Sequence, residues 1–257
     1  SCEEFQEYLS PMMWHLEGPL GGLMNCALTK VVKTARDCGV KVLQDGSGVD
    51  EAFGGYRNHH NLYLNTLWAN KSEYFEQALQ DYAKNWGVSY DTARIAASAR
   101  SQNAPVAIDG TSPIRLDLLH PSVFTHIGEA TAKRRPVIAD EDPLLFSMCD
   151  FLQASKIPRN TRMRDRSSMA YGIELRIPFL DHVLVESALS LPKGYFFDKG
   201  RSKAIVRDAL SELIPHEVRE APKRSVHAPQ GEWLKTEPMR GYVESIISSE
   251  SFADRGF

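Results

Sequence analysis

The stretch Gln44-Asp45-Gly46-Ser47-Gly48-Val49-Asp50-Glu51-Ala52-Phe53-Gly54-Gly55-Tyr56 constrains this chain more than any other. It follows Val40-Lys41-Val42-Leu43, an apolar run that reads as a short buried strand. Two glycines bracket a hydroxyl, two acids follow, and a glycine pair then precedes an aromatic. Glycine lets a backbone come close to a ligand, and successive free N–H groups after a strand form a concavity that holds an anion. The turn geometry alone also explains the glycines. The acids add a chemical reason: Asp50 and Glu51 beside a phosphate-binding turn suit Mg²⁺, which takes few carboxylates and completes its shell with phosphate oxygens.

The surrounding sequence has the order of an α/β unit. Residues 23–38 read as a helix ended by Gly39, feeding the strand, with the loop at the strand's carboxyl end. Lys71 to Trp86 reads as a helix stopped by Gly87, with Tyr74, Phe75, Ala78, Leu79, Tyr82, Ala83 and Trp86 on one core-facing stripe. Asp142-Pro143 has the N-cap and first-turn signature and opens a helix through Leu152. His182 to Leu191 forms another, halted before Pro192, and Ser202 to Leu213 a third, capped by Ser202 and ended before Pro215. Residues 104–135 are mixed in pattern and carry no assignment. The expected fold class is α/β, helix-rich, with little strand.

Composition excludes several function classes. At 42% hydrophobic and 25% charged, the 257 residues are ordinary for a globular protein and can bury a substantial core. A net charge of -3 offers no basic face for nucleic acid or an anionic membrane. Cys2, Cys26, Cys38 and Cys149 are widely spaced, and His59-His60 lacks metal-ligand spacing, so reduced, buried thiols are expected rather than zinc or disulfides. No apolar run approaches the roughly 20 residues of a membrane span, and Ser1-Cys2-Glu3-Glu4 lacks signal-peptide character, which makes the cytoplasm the default location.

The loop resembles the asparagine synthetase family's S-G-[ED]-G-x-D-E-x-F-G-G-Y. Met163-Arg164-Asp165-Arg166-Ser167-Ser168-Met169-Ala170 resembles that family's D-R-x-S-M-A, and Ile173-Glu174-Leu175-Arg176-Ile177-Pro178-Phe179-Leu180-Asp181-His182 its E-x-R-x-P-F-L-D-H. Gly200-Arg201-Ser202-Lys203 matches a Gly-Arg-x-Lys at the head of a helix, and Pro222-Lys223-Arg224 and Trp233-Leu234 follow in the family's order. The resemblance implies part of an adenine-nucleotide-hydrolase-like domain, a parallel sheet flanked by helices with a helical lobe. It also implies a reaction in two steps. A carboxylate attacks the α-phosphorus of ATP, giving an acyl-AMP and pyrophosphate; ammonia, free or derived from glutamine, then gives the amide and AMP.

Several site residues carry over from the resemblance. Lys203, in the first turn of its expected helix, is placed against pyrophosphate, with Arg201 a weaker neighbour. A cation there is mildly disfavoured by the helix dipole, and a bound phosphate supplies the reason for it. Asp50 is placed on Mg²⁺, with a helix N-cap as its plain alternative. Asp45 and Gly46 take the positions whose backbone touches nucleotide. Glu51 orients substrate or pairs with Arg166, itself a candidate near the active site. Glu174, Arg176 and Asp181 read as a buried charged cluster that serves as scaffold.

The sequence also departs from the family. Ser47 stands at the position of a catalytic Glu or Asp, and serine neither accepts a proton like a carboxylate nor carries its charge. Asp45 replaces the family's serine, so either Asp45 takes the acid's role or the acceptor is not aspartate. The family's S-G-G-x-D-S loop, which holds pyrophosphate, is not found, and Gly21-Gly22-Leu23 is not a match to it. Nothing around Cys2 resembles the family's glutaminase domain. Residues 1–257 are therefore expected to be an incomplete synthetase domain that needs an upstream half or a partner subunit. Two other functions stand beside amide formation: ring closure as in β-lactam synthetases, which a tyrosine–glutamate pair would mark, and a non-catalytic subunit that completes a partner's site.

Overall fold

The computed structural model describes residues 2–18, 22, 24–98, 142–223 and 229–254. Residues 104–135, Gly21 and Leu23 lie outside them. Helices α1 (Cys2–Leu16) and α2 (Met24–Asp37) lead to strand β1 (Val42–Gln44), the loop and α3 (Val49–Ala52). Next come α4 (Arg57–Ala69), α5 (Phe75–Trp86), α6 (Tyr90–Ser98), α7 (Pro143–Asp150) and α8 (Ile157–Met169). Strand β2 (Glu174–Arg176), α9 (His182–Leu189), the strand pair β3 (Phe197–Asp198) and β4 (Arg201–Ser202), and α10 (Ala204–Ala209) complete the frame of the site. Four further helices lie at 216–219, 230–233, 239–247 and 250–253.

The helix-rich α/β class is observed, with a small parallel sheet in which β1 pairs with β2, Leu43 opposite Leu175. The expected buried strand begins later and is less covered: Val42 is 40% exposed, since β2 is the one partner β1 has among the described residues. Helix α2 runs as expected, and Gly39 beyond it takes φ +79°. Helix α5 starts at Phe75, so Tyr74 sits in the preceding turn, 68% exposed, rather than on the buried stripe. Gly87 caps α5 in the left-handed conformation, as its sequence demands.

Asp142 caps α7 by accepting from Leu145 N at 2.9 Å. A π-helical turn over Phe151–Ser155 then replaces the expected last turn of that helix. Asp181 caps α9 through Leu184 N. Ser202, by contrast, is not a cap: it belongs to β4, and Lys203 at φ +56° turns the chain into a shorter helix. Among the described residues no helix is long and apolar enough to cross a membrane.

Three apolar clusters fix these elements. Ala52, Phe53, Leu62, Leu144, Met148 and Phe196 pack beneath the loop. Leu64, Phe75, Leu79 and Tyr82 join α4, α5 and α6. Phe5, Met12, Cys26, Met163 and Met239 join α1, α2 and α8 to the C-terminal helices. Leaving the apolar stripe of α5 to core packing is thus correct. The His59 and His60 rings are both buried, and burial drops each pKa to about 3. Cys26, Cys38 and Cys149 are free thiols, though Cys38 is exposed, a departure from the expected burial.

Candidate active site

The site grows from the carboxyl end of β1. Asp45 N donates to Arg176 O at 2.8 Å, extending the sheet by one bond. The Asp45 carboxylate then accepts from Ser47 N at 2.7 Å and pairs with Arg164 of α8. This side-chain turn folds the loop back on itself. Gly48 follows at φ +94°, a left-handed value suited to glycine, and begins α3. The short helix projects Asp50 and Glu51 from its first turn. The chain leaves through Gly55, whose N–H returns to Asp50 O at 2.7 Å. A Cβ on Gly55 would lie 2.0 Å from Asp50 Oδ1 and 2.7 Å from its Cα, so the close pass requires glycine.

Lysines from three distant segments converge on these acids. Lys203 Nζ lies 2.6 Å from Asp50 Oδ1, and Lys223 Nζ pairs with the other oxygen of the same carboxylate. Lys156 Nζ lies 3.5 Å from Glu51 Oε1, which also accepts from Tyr56 Oη at 2.6 Å. Side-chain exposures of 4% for Glu51, 12% for Lys156 and 16% for Asp50 make these largely buried charges. Burial pushes the Asp50 carboxyl up, but the charges and hydrogen bonds of Lys203 and Lys223 outweigh it and leave the pKa below its ordinary value. Burial pulls Lys156 down to about 8 against the opposing pull of Glu51 and Asp50. The Tyr56 phenol is pushed far up, first by burial and then by Glu51, so it remains a donor.

A polar cleft of about 280 Å³ opens between the loop and α8, walled by Gly46, Ser47, Asp50, Glu51, Tyr56 and, from α8, Asn160. Arg164 and Asp45 also line it. Lys156, Lys203, Lys223 and Arg164 set four positive charges against the three negative charges of Asp45, Asp50 and Glu51. The surplus of one positive charge favours an anionic ligand. Both oxygens of Asp50 are held by ammonium groups, so a ligand of that carboxylate must displace them.

The structure brings together Asp45, Gly46, Ser47, Asp50, Glu51 and Lys203 as a group. Arg166 is elsewhere. It pairs with Glu17 at 3.0 Å, and Glu51 takes Lys156 instead, because Arg164 rather than Arg166 is the α8 arginine turned to the loop. Asp50 is not the N-cap of its helix; Gly48 is. The Glu174–Arg176–Asp181 cluster is not buried: Glu174 and Arg176 pair with each other at 58% and 62% exposure, since both point to the open face of a strand whose middle residue turns inward. Arg201 spends its charge on Asp198, Asp208 and Glu220. Sequence reasoning passed over Lys223, Arg164, Tyr56, Asn160 and Lys156. The first three stand inside or beside the quoted motifs, while Lys156 and Asn160 carry no sequence signal.

Comparison with known proteins gives matches along the chain. The family model described as asparagine synthase matches residues 1–257. Asparagine synthetase [glutamine-hydrolyzing] 1 of Bacillus subtilis is 26% identical over 257 residues, covering 96% of this chain and 40% of the relative. A putative asparagine synthetase [glutamine-hydrolyzing] of Mycobacterium tuberculosis is 25% identical over 265 residues, covering 97% of this chain and 39% of the relative. The human asparagine synthetase [glutamine-hydrolyzing] is 34% identical over 97 residues, covering 35% of this chain and 17% of the relative. The chain thus spans about 40% of the length of the bacterial relatives it matches throughout.

Proposed function

The chain belongs to the asparagine synthase family, and from that premise we propose that it carries the nucleotide and acid site of an ATP-dependent amide-forming ligase. The observation that carries this reading is the convergence of Lys203 and Lys223 on Asp50 beside a polar cleft. A substrate carboxylate oxygen attacks the α-phosphorus of ATP, forming the acyl–O–P bond as the bond to pyrophosphate breaks. Ammonia then forms the C–N bond, AMP leaves with the electron pair of the C–O bond, and the surplus proton goes to solvent. Both steps move negative charge onto phosphate oxygens, where fixed ammonium groups act without reorganising.

The residues present fit ATP and Mg²⁺. The Asp50 carboxylate would hold the metal together with phosphate oxygens, and Lys203 and Lys223 would pass from that carboxylate to the phosphates. One protein carboxylate suffices for Mg²⁺, which shares its shell with the nucleotide. When bound, the metal supplies charge neutralisation on the phosphates. Gly46 stands with open space where a Cβ would project, so its backbone can approach nucleotide. We assign the domain to the adenine-nucleotide-hydrolase-like class and the reaction to the cytoplasm. The relatives are longer than this chain, and we place the pyrophosphate loop and the ammonia source in sequence beyond these residues or in a partner.

The acceptor acid follows less directly. Asp45 is engaged by Arg164 and Ser47 N, so it is built into the loop instead of standing in for the family's acid. That favours a carboxylate other than aspartate, such as a sugar uronate, and it also supports the second reading, a non-catalytic subunit. Glu51 and Tyr56 form the tyrosine–glutamate pair that would mark ring closure, but a phenol kept protonated cannot take a proton, which leaves amide formation ahead. Carboxylate-dependent pyrophosphate release, measured on the protein containing this chain with aspartate and uronic acids, tests the proposal. Release that vanishes in Lys203→Ala supports it; silence across the panel by folded protein that binds ATP favours the subunit reading.

A further inference from the structure

The acidic wall of the cleft leans on a lysine that no motif marks. Lys156 follows the π-helical turn and precedes α8 with φ −123° and ψ −60°, outside the helical region. Such π-helical turns are frequent at functional sites. Here the side chain runs across Tyr56, with Nζ 3.3 Å from the ring centre, and ends against Glu51. The same Glu51 oxygen takes the Tyr56 hydroxyl, so acid, phenol and ammonium close a triangle. Glu51 and Tyr56 face the cleft, and Lys156 supports them from behind.

Packing alone does not explain the choice. A buried ammonium group costs free energy that a methionine or leucine of similar volume would not. Lys203 and Lys223 belong to Asp50, so among the described residues Lys156 is the one cation paired with Glu51. Without it, the Glu51 carboxylate keeps one hydroxyl donor and is drawn toward Lys203 and Lys223, the cations needed for phosphate.

We propose that Lys156 is a positioning residue that fixes Glu51 and Tyr56 in the wall of the cleft and keeps Glu51 from capturing the lysines of Asp50. The inference rests on the ATP-dependent reading above. Three variants test it by ATP–pyrophosphate exchange, using the acid that drives exchange best in the unaltered protein. Lys156→Met keeps the stem across Tyr56 without the charge, Lys156→Arg keeps the charge, and Lys156→Ala leaves room for added n-propylammonium.

For Lys156→Met, kcat is expected to fall about 10- to 100-fold and KM for ATP to rise, because Glu51 then draws on the lysines that meet phosphate. Lys156→Arg should retain part of the rate. n-Propylammonium should restore Lys156→Ala saturably, and n-propanol, of equal size and no charge, should not. Full kcat in Lys156→Met, or equal rescue by the alcohol, overturns the inference; failure of Lys156→Met to fold leaves the rescue of Lys156→Ala as the deciding result. Exchange absent from the unaltered protein with every acid overturns the functional reading instead. The crystal structure of Lys156→Met then decides: Glu51 displaced from Tyr56 supports the positioning role, and Glu51 unmoved overturns it.

Discussion

Residues 45–51 and residues 174–181 both carry charges in or just after a strand of the same sheet, and they are opposite as structure. In the first, Glu51 is buried and Asp50 largely so, against lysines 105 to 173 positions away in sequence. In the second, Glu174 finds Arg176 two residues on, and both stay in water. The difference lies in where the partners come from. A pair made within one strand is complete before the fold forms and need not be buried. A pair assembled from separate elements exists only where those elements meet, and that junction is also where a cleft can form.

The largest expected effect falls on the distant-partner block. Asp50→Ala leaves two ammonium groups facing each other, and thermal or denaturant unfolding should show a loss of about 2–4 kcal/mol. A loss below about 0.5 kcal/mol would place the block with its surface counterpart. Gly55→Ala should cost about 1–3 kcal/mol, because the new methyl group meets Asp50 backbone as well as its carboxylate.

A smaller effect concerns pH. His59 is buried between Tyr56 and Phe151, and burial, with Lys156 nearby, lowers its pKa from 6.5 to about 3. Between those values the unfolded chain takes a proton that the folded chain refuses, so stability falls as pH drops below 6.5. His59→Phe should make the stability curve between pH 7 and pH 5 shallower by about 2 kcal/mol, with no change above neutrality. An unchanged acid slope would show that His59 is protonated in the folded state. The smallest effect belongs to the local pair: Glu174→Ala should leave stability unchanged within the error of the measurement. A measurable shift would erase the contrast between the two blocks.

How much could be read beforehand follows the same division. The strand, its loop and the grouping of Asp45, Gly46, Ser47, Asp50 and Glu51 are contiguous, so their sequence contains them. Caps such as Asp142 and stops such as Gly87 were legible for the same local reason. Lys203 was identified by motif, but its left-handed backbone was not, because no residue type near it announces one; the helix expected from Ser202 therefore begins two residues late. Lys156 was invisible. Its role depends on a π-helical turn that offsets it from the preceding helix, and on a tyrosine 100 residues earlier.

Asp50 shared between two lysines has a practical consequence at the bench. One carboxylate cannot neutralise both ammonium groups, and Arg164 and Lys156 have acids of their own, so the cleft carries a standing demand for an anion. Phosphate or sulfate in a buffer has the charge to answer that demand and would compete with any anionic ligand of the site. Zwitterionic buffers at low ionic strength expose the site's own preference.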